Sequence, residues 1–512
     1  MGIPLYFRKI ISQNNGLIIE TVPKCNRLFL DFNGIIHGAA ARVLESPEVS
    51  PTVEYHEERI IQETILYMNT IVQHVKPKEL LYIGMDGVAP MAKILQQRSR
   101  RHMTHFIKQS DSYVRPKFEW DTNAISPGTH FMNKCSVALC VHFRKLKPAF
   151  RWIVSDSAEE GEGEHKIFNF IEANHVEGST DIIYGLDADL IMLGLISKQS
   201  SVYLLREPVH FKDQSNSKPF LYFDVAKFRE VLHKRYNQAI NIRCYVFLCF
   251  LIGNDFLPSL SYLHIRNNDI EKLIQNYLSI QKDTPLIFYE EDRWKINSAL
   301  LTALLGTLSE NETASYQKVH NNYFSQSTSN MKNKEQRLEN YGICKKNMNL
   351  QGLFEDNWIQ SYYVELFDMS VTPDNLIKEV CESYIRGLLW TSEYYFNKKN
   401  DFTWMYPYAY SPTIIDVYNT LQTDNELIHS FEQGSKIHVD PELQLLMILP
   451  IQSKRILPLN LQSLMDRSSK IGYMYPQRFE IQTYLKTKLH ECIPMLPKLQ
   501  INDFLQAYEQ TH

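Results

Sequence analysis

Residues 80–101 read LLYIGMDGVAPMAKILQQRSRR. The stretch begins as a short apolar run, Leu80–Asp86, that ends in an acid. It then passes Gly87 and Pro90 into a pattern of helical period. Pro90 suits a first helical position, where its missing N–H costs nothing. Lys93, Gln97, Arg100 and Arg101 stand at i, i+4, i+7 and i+8, so the helix carries them on one face. A strand that ends in a carboxylate and feeds a basic helix is a unit of an α/β sheet.

The same unit recurs on both sides. Arg27–Asp31 (RLFLD), Arg151–Asp156 (RWIVSD) and Ile182–Asp187 (IIYGLD) are further apolar runs that close on an acid. Between the first two strands, Ile61, Ile65, Met68 and Val72 mark a helix over Ile60–Val75, stopped by Lys76-Pro77. Strands alternating with helices predict a mostly parallel central sheet flanked by helices. Such sheets place their sites at the carboxyl ends of the strands. Asp31, Asp86 and Asp187 are therefore expected on one rim. Asp189 follows Asp187 at i+2 and would share the crevice if the chain stays extended. Glu162 and Glu164 repeat that spacing in EEGEGEHK, where Gly161 and Gly163 free the backbone. Asp255 follows the apolar run YVFLCFLIGN.

Seven acids in one crevice are costly unless cations neutralise them. Oxygen-only donors suit Mg²⁺ or Mn²⁺ rather than zinc. Two such ions can activate water and stabilise the leaving oxygen of a phosphodiester. Any one of these acids, taken singly, reads equally as a helix cap or a surface charge, and the basic face as a solvated one. The adjacency of the two features favours phosphate recognition beside a metal rim.

Composition sets bounds. The chain has 512 residues, 44% of them hydrophobic and 22% charged, enough for more than one packed layer or domain. The net charge of −4 speaks against a protein that simply coats phosphates. None of the eight cysteines is spaced as Cys-x-x-Cys, so reduced thiols in a reducing compartment are expected. The start MGIPLYFRKI has no long apolar run, so no signal peptide is expected, and no stretch approaches a membrane span. The polar stretch SQSTSNMKNKEQRLEN reads as a loop or linker of low order, and Trp358–Phe396 reads as helical.

Taken together, MGIP at the start, LDFNGIIH (Leu30–His37), Gly84–Arg101, ISPGTHFM (Ile125–Met132), SDSAEEGEGEHKI (Ser155–Ile167), YGLDADLIMLGL (Tyr184–Leu195) and FLIGNDFLP (Phe250–Pro258) resemble the 5′→3′ exoribonucleases of the XRN type. A second block, GLLW…YY (Gly387–Tyr395), WMYPYAYSP (Trp404–Pro412) and LMILP (Leu446–Pro450), is similar to the same family. The resemblance covers most of residues 1–265 and about 355–460. It implies a nuclease core like that of PIN and flap nucleases at 1–265, a variable linker or insertion at 266–354, a second, largely helical region at 355–460 packed on the core, and a tail at 461–512. It implies that Asp31, Asp86, Glu162, Glu164, Asp187, Asp189 and Asp255 are the catalytic, metal-binding acids. Lys93, Gln97, Arg100 and Arg101 would hold a 5′-monophosphate. His37 and a tryptophan would stack on the first base, Trp404 being the first choice and Trp390 the alternative. The N-terminal segment resembles the family's lid over the active site.

The implied activity is processive hydrolysis of single-stranded RNA from a 5′-monophosphate end with two Mg²⁺ ions, Mn²⁺ being able to substitute. A monomer is expected, cytoplasmic with a nuclear location left open, and a compact member without the long C-terminal regions of the large cytoplasmic enzymes. That form would suit a virus-encoded or otherwise reduced member. The chain departs from the family's pattern at Ala158-Glu159-Glu160, where a proline is usual, at Met91, where arginine is common, and at Ala409, where histidine is common. A flap endonuclease acting on DNA and a catalytically inert RNA-binding scaffold are the rival readings.

Overall fold

The computed structural model describes residues 5–46, 52–110, 118–208, 219–237, 239–281, 283–354, 357–367, 373–396, 401–428 and 438–511. The opening MGIP lies outside them. Strands β1 (Ile18–Ile19), β2 (Arg27–Asp31), β3 (Leu80–Gly84), β4 (Arg151–Ser155), β5 (Thr180–Tyr184), β6 (Ser201–Arg206) and β7 (Leu221–Asp224) form one sheet in the order β1-β7-β6-β5-β2-β3-β4. From β6 to β4 neighbouring strands are parallel, and β7 and β1 add an antiparallel edge. The chain runs outward from β2 through β3 to β4, then returns to the other side of β2 for β5. Between β2 and β5 the crossovers depart in opposite directions, which opens a crevice above the strand ends.

Alternating side chains serve two cores, as the two-residue period of a strand requires. Phe29, Tyr82, Ile183 and Leu204 face one, and Leu28, Leu30, Leu81, Ile83, Ile182 and Leu205 face the other. The helices of this half are α1 (Tyr6–Gln13), α2 (Phe32–Glu45), α3 (Val53–Val75), α4 (Met91–Gln109), α5 (His130–Leu146), α6 (Gly163–Ala173), α7 (Asp189–Ile196), α8 (Val225–Arg235) and α9 (Ile242–Phe250). α2, α3 and α5 cover the second core; α1 and α6 to α9 cover the first. α1 is fastened by the Tyr6 hydroxyl against that of Tyr245 at 2.8 Å and by Lys9 Nζ donating to the Ile265 carbonyl at 2.7 Å.

Beyond residue 265 the structure departs from the expected linker. Asp269–Ile280, Ser298–Ser309 and Glu312–Ser325 are helices, and Ile287–Glu290 pairs with Arg293–Ile296 as a hairpin. Leu273, Ile274, Tyr277, Leu301, Leu304 and Leu305 are fully buried in the core that also holds Phe29 of the sheet. Their helical spacing lets these segments bury an apolar stripe, as a linker would not. Within the polar stretch, Lys334–Glu339 forms a short exposed helix, opened by the Asn333 side chain accepting from the Gln336 N–H. Trp358–Leu366 and Pro373–Phe396 are helical, as expected. The expected tail is packed: Ile471, Met474 and Phe504 share a core with Met91 and Ile94 of α4 and with Leu443 and Leu446. All eight cysteines are free thiols, six of them buried. Among the described residues no helix is long and apolar enough to cross a membrane.

Candidate active site

The strand ends set the floor of the site. Asp31 closes β2 and caps α2, directly opposite Gly84 of β3 in the register. Asp86 lies two residues past β3, and Glu164 sits in the first turn of α6. Carboxylate oxygens of Asp31, Asp86 and Glu164 lie within 4.8 Å of one another. Asp86 is held from three directions. Asn33 Nδ2 donates to one oxygen at 2.8 Å, the Gly163 N–H donates to the other at 2.8 Å, and the Asp86 N–H donates to Asn33 Oδ1 at 3.2 Å.

The glycines of EEGEGEHK act differently from each other. Gly161 has φ +105°, the left-handed freedom expected of it. Gly163 is needed for close approach: a Cβ there would lie 2.9 Å from the Gly84 carbonyl oxygen and 3.1 Å from Asp31 Oδ1. Neither acid-x-acid pair stays extended. Glu162 caps α6 while Glu164 lies inside it, and Asp189 is the first residue of α7. A helix start replaces the extended chain that the spacing suggested. It also adds the favourable field of a helix N-terminus for a carboxylate.

Lys93 links the remaining acids. Its Nζ lies 2.5 Å from Glu162 Oε1 and 2.8 Å from Asp255 Oδ2. Burial alone would lower its pKa, yet Asp255 and Glu162 raise it well above the ordinary lysine value. Asp255 is pushed up by burial but held down to about 2 by Lys93. Burial lifts Asp31 well above the carboxylate range, reinforced by Asp86 and Asp187, and lifts Glu164 likewise, reinforced by Glu162. Asp189 is raised to about 7 by burial and the Asp255 charge. Asp31, Asp86 and Glu164 thus converge within 4.8 Å, Glu162 and Asp255 meet at Lys93, and Asp187 and Asp189 join the others through electrostatic coupling. Carboxylates forced above their usual range by their neighbours are a donor set that fits hard divalent cations.

The basic face of α4 is divided. Gln97 Oε1 accepts from Gln444 Nε2 at 3.4 Å, and Arg101 donates to Ser126 Oγ. Arg100 is exposed. Burial, and then Arg100, lower Arg101 to about 10, so it stays charged. Lys93 alone of the four reaches the acids. Arg98, on the opposite face, donates to the carbonyls of Pro497 and Met474 at 2.8 and 2.6 Å and fixes the helix to the C-terminal region.

His37 is solvent-exposed on α2, and the protein packed around it partly desolvates its ring. That desolvation, together with Arg101 and Arg100, pushes it down to about 4 and keeps it neutral at pH 7. Trp390 is fully buried and donates to the Asp401 carbonyl at 2.7 Å. Trp404 is half-buried and stacks on Trp390 with centroids 5.1 Å apart. The Met91 N–H donates to the Phe402 carbonyl at 2.8 Å, which brings this segment to the start of α4.

Sequence reasoning missed several residues of the site. Asn33 lies inside LDFNGIIH and could have been flagged by its place two residues from Asp31. Tyr394, whose hydroxyl donates to Glu162 Oε2 at 2.5 Å, and Gln444, whose Oε1 accepts from the Ala89 N–H at 2.8 Å, carry no local signal.

Comparison with known sequences agrees with this geometry. Residues 1–208 match the sequence model described as XRN 5′-3′ exonuclease N-terminus, and residues 235–345 and 290–511 match that described as Xrn1 helical domain. The 5′-3′ exoribonuclease 1 of Homo sapiens is 27% identical over 99% of this chain and 34% of its own length. The 5′-3′ exoribonuclease 2 of Schizosaccharomyces pombe is 26% identical over 96% of this chain and 70% of its own length. The 5′-3′ exoribonuclease 2 of Candida glabrata is 32% identical over 66% of this chain and 41% of its own length. The chain thus spans about a third of the human relative. Among solved structures, the catalytic core of Rad2 in complex with DNA substrate overlaps 87% of this chain at 11% identity, with a TM-score of 0.33.

Proposed function

The chain belongs to the XRN 5′→3′ exonuclease family, and on that premise we propose that it degrades single-stranded RNA from a 5′-monophosphate end, processively, to nucleoside 5′-monophosphates. The observation that carries the reading is the convergence of Asp31, Asp86 and Glu164 within 4.8 Å, beside the basic face of α4. The seven acids would hold two Mg²⁺ or Mn²⁺ ions, which when bound would supply activation of water and charge stabilisation at the leaving oxygen.

The protein's own groups do the rest. Arg100 and Arg101, with Gln97, bind the terminal phosphate as charge-assisted donors. Lys93 sits between that phosphate and the acids and sets the distance from the end to the cut. Neutral His37 and Trp404 offer apolar faces to the first base, worth about 1–3 kcal/mol per stacked base and indifferent to sequence. An N-terminal lid of the kind the resemblance implies would exclude an internal strand.

The test is a time course with Mg²⁺ on end-labelled RNA bearing a 5′-monophosphate, a 5′-hydroxyl or a 5′-triphosphate, beside a branched DNA flap. Mononucleotides are expected from the monophosphate without intermediate lengths, and slower use of the other substrates. Equal use of hydroxyl and monophosphate ends, or faster cutting of the flap, would overturn the reading. Arg100→Ala is expected to cut the preference for monophosphate over hydroxyl by about tenfold, the worth of one charge-assisted bond. The ratio of initial rates on the two RNAs measures it.

A further inference from the structure

Two adjacent tyrosines of the second region reach into the acidic centre of the first. The Tyr394 hydroxyl donates to Glu162 Oε2, and Tyr395 stands beside Asp189. Both stand near the end of the long helix Pro373–Phe396. Consecutive residues on a helix point about 100° apart. One residue pair therefore spans the crevice from the start of α6 to the start of α7.

The rings leave the hydroxyls little freedom. Tyr394 lies between His165, with centroids 3.9 Å apart, and Trp390, at 5.0 Å and 13° between planes. Phe256 meets it edge-on at 5.1 Å. Tyr395 is packed against Phe250 at 4.9 Å. Both side chains are buried. Their hydroxyl positions are set by ring packing, independently of the carboxylates they meet. A buried tyrosine could satisfy its hydroxyl on any carbonyl; Tyr394 uses an acid of the site, and Tyr395 lies next to another.

We propose that Tyr394 and Tyr395 are positioning residues: their hydroxyls fix the orientation of Glu162 and Asp189, so that the ion-binding oxygens are presented only when the second region is docked. The inference rests on the metal-dependent reading above. Hydrogen bonds to ligating carboxylates usually carry a 10–100-fold effect on metal affinity or activity.

The experiment compares wild type, Tyr394→Phe and Tyr395→Phe as full-length chains. Mn²⁺ binding without RNA is followed by electron paramagnetic resonance of the free ion. kcat and KM are measured on 5′-monophosphorylated RNA, and thermal melts monitor folding. Each Phe variant, nearly isosteric, is expected to melt like wild type and to bind Mn²⁺ at least about tenfold more weakly. Its kcat should fall while the RNA KM holds, and excess Mn²⁺ should restore most of the rate. Variants that keep wild-type Mn²⁺ affinity and kcat overturn the assignment, as do variants that lose activity only together with their melting temperature. A wild type that degrades RNA without binding Mn²⁺ overturns the metal-dependent reading, and the inference with it.

Discussion

At Gly163 three parts of the fold press on one Cα. The Gly84 carbonyl, Asp31 and Asp86 all lie where a side chain would begin, and the Gly163 N–H holds Asp86. Gly163→Ala must push α6 away from the rim by several tenths of an ångström and carry Glu164 with it. A misplacement approaching 1 Å costs about 100-fold in rate. A loss of that order in single-turnover cleavage is expected, with RNA binding retained in a filter assay; a wild-type rate would show that the rim tolerates the shift. The acids themselves were legible at this scale, because strand-terminal Asp and acid-x-acid pairs are local patterns. Tyr394 and Gln444 were not, because 232 residues separate Tyr394 from Glu162 and 355 separate Gln444 from Ala89. No periodicity within a segment reports a partner that distant.

At the scale of the element, α4 has two working sides. One carries Lys93, Gln97, Arg100 and Arg101, and the other is anchored through Arg98 and His102. His102 is 1% exposed, and its Nδ1 pairs with the Arg98 carbonyl at 2.9 Å. Burial, first among its influences, lowers its pKa from 6.5 to about 4. The unfolded chain therefore binds a proton below pH 6.5 that the folded chain refuses until about pH 4. Stability present above pH 6.5 is lost as pH falls through that window, by roughly 3 kcal/mol for the full shift. Urea midpoints between pH 7 and 4 are expected to fall less steeply in His102→Gln than in wild type. Parallel slopes would show that His102 does not govern the acid limb. The amphipathic pattern of α4 could be read from sequence, but its sharing between a catalytic face and an anchoring face depends on residues 441–511, which the local pattern cannot supply.

On the scale of the whole molecule, the boundaries suggested by composition do not coincide with the cores. The sheet's first face, the helices Asp269–Ile280 and Ser298–Ser309 and the long helix Pro373–Phe396 share one apolar interior. The α/β class was legible because parallel strands with crossover helices leave alternating signatures along the chain. The packing of the middle segment was hidden because its polar stretch, 325–340, dominates the composition while its buried leucines and isoleucines lie on helices around it.

Lys93 gives this architecture a built-in counter-ion. Its ammonium already offsets Glu162 and Asp255, and burial raises Asp31, Glu164 and Asp189 above the ordinary carboxylate range, Asp189 to about 7. The crevice thus has two ways of discharging itself that require no dissolved cation. Such a chain is expected to fold without its metal, unlike a domain whose fold is created by its ion. EDTA is expected to abolish hydrolysis while lowering the melting temperature by only a few degrees, in keeping with the ~2.7 kcal/mol that a ligand at a hundredfold excess over Kd contributes. Calorimetry with and without chelator measures the difference, and collapse of the transition in EDTA would refute it. For such a nuclease, the supply of divalent ions would act as a switch on turnover and leave its abundance untouched.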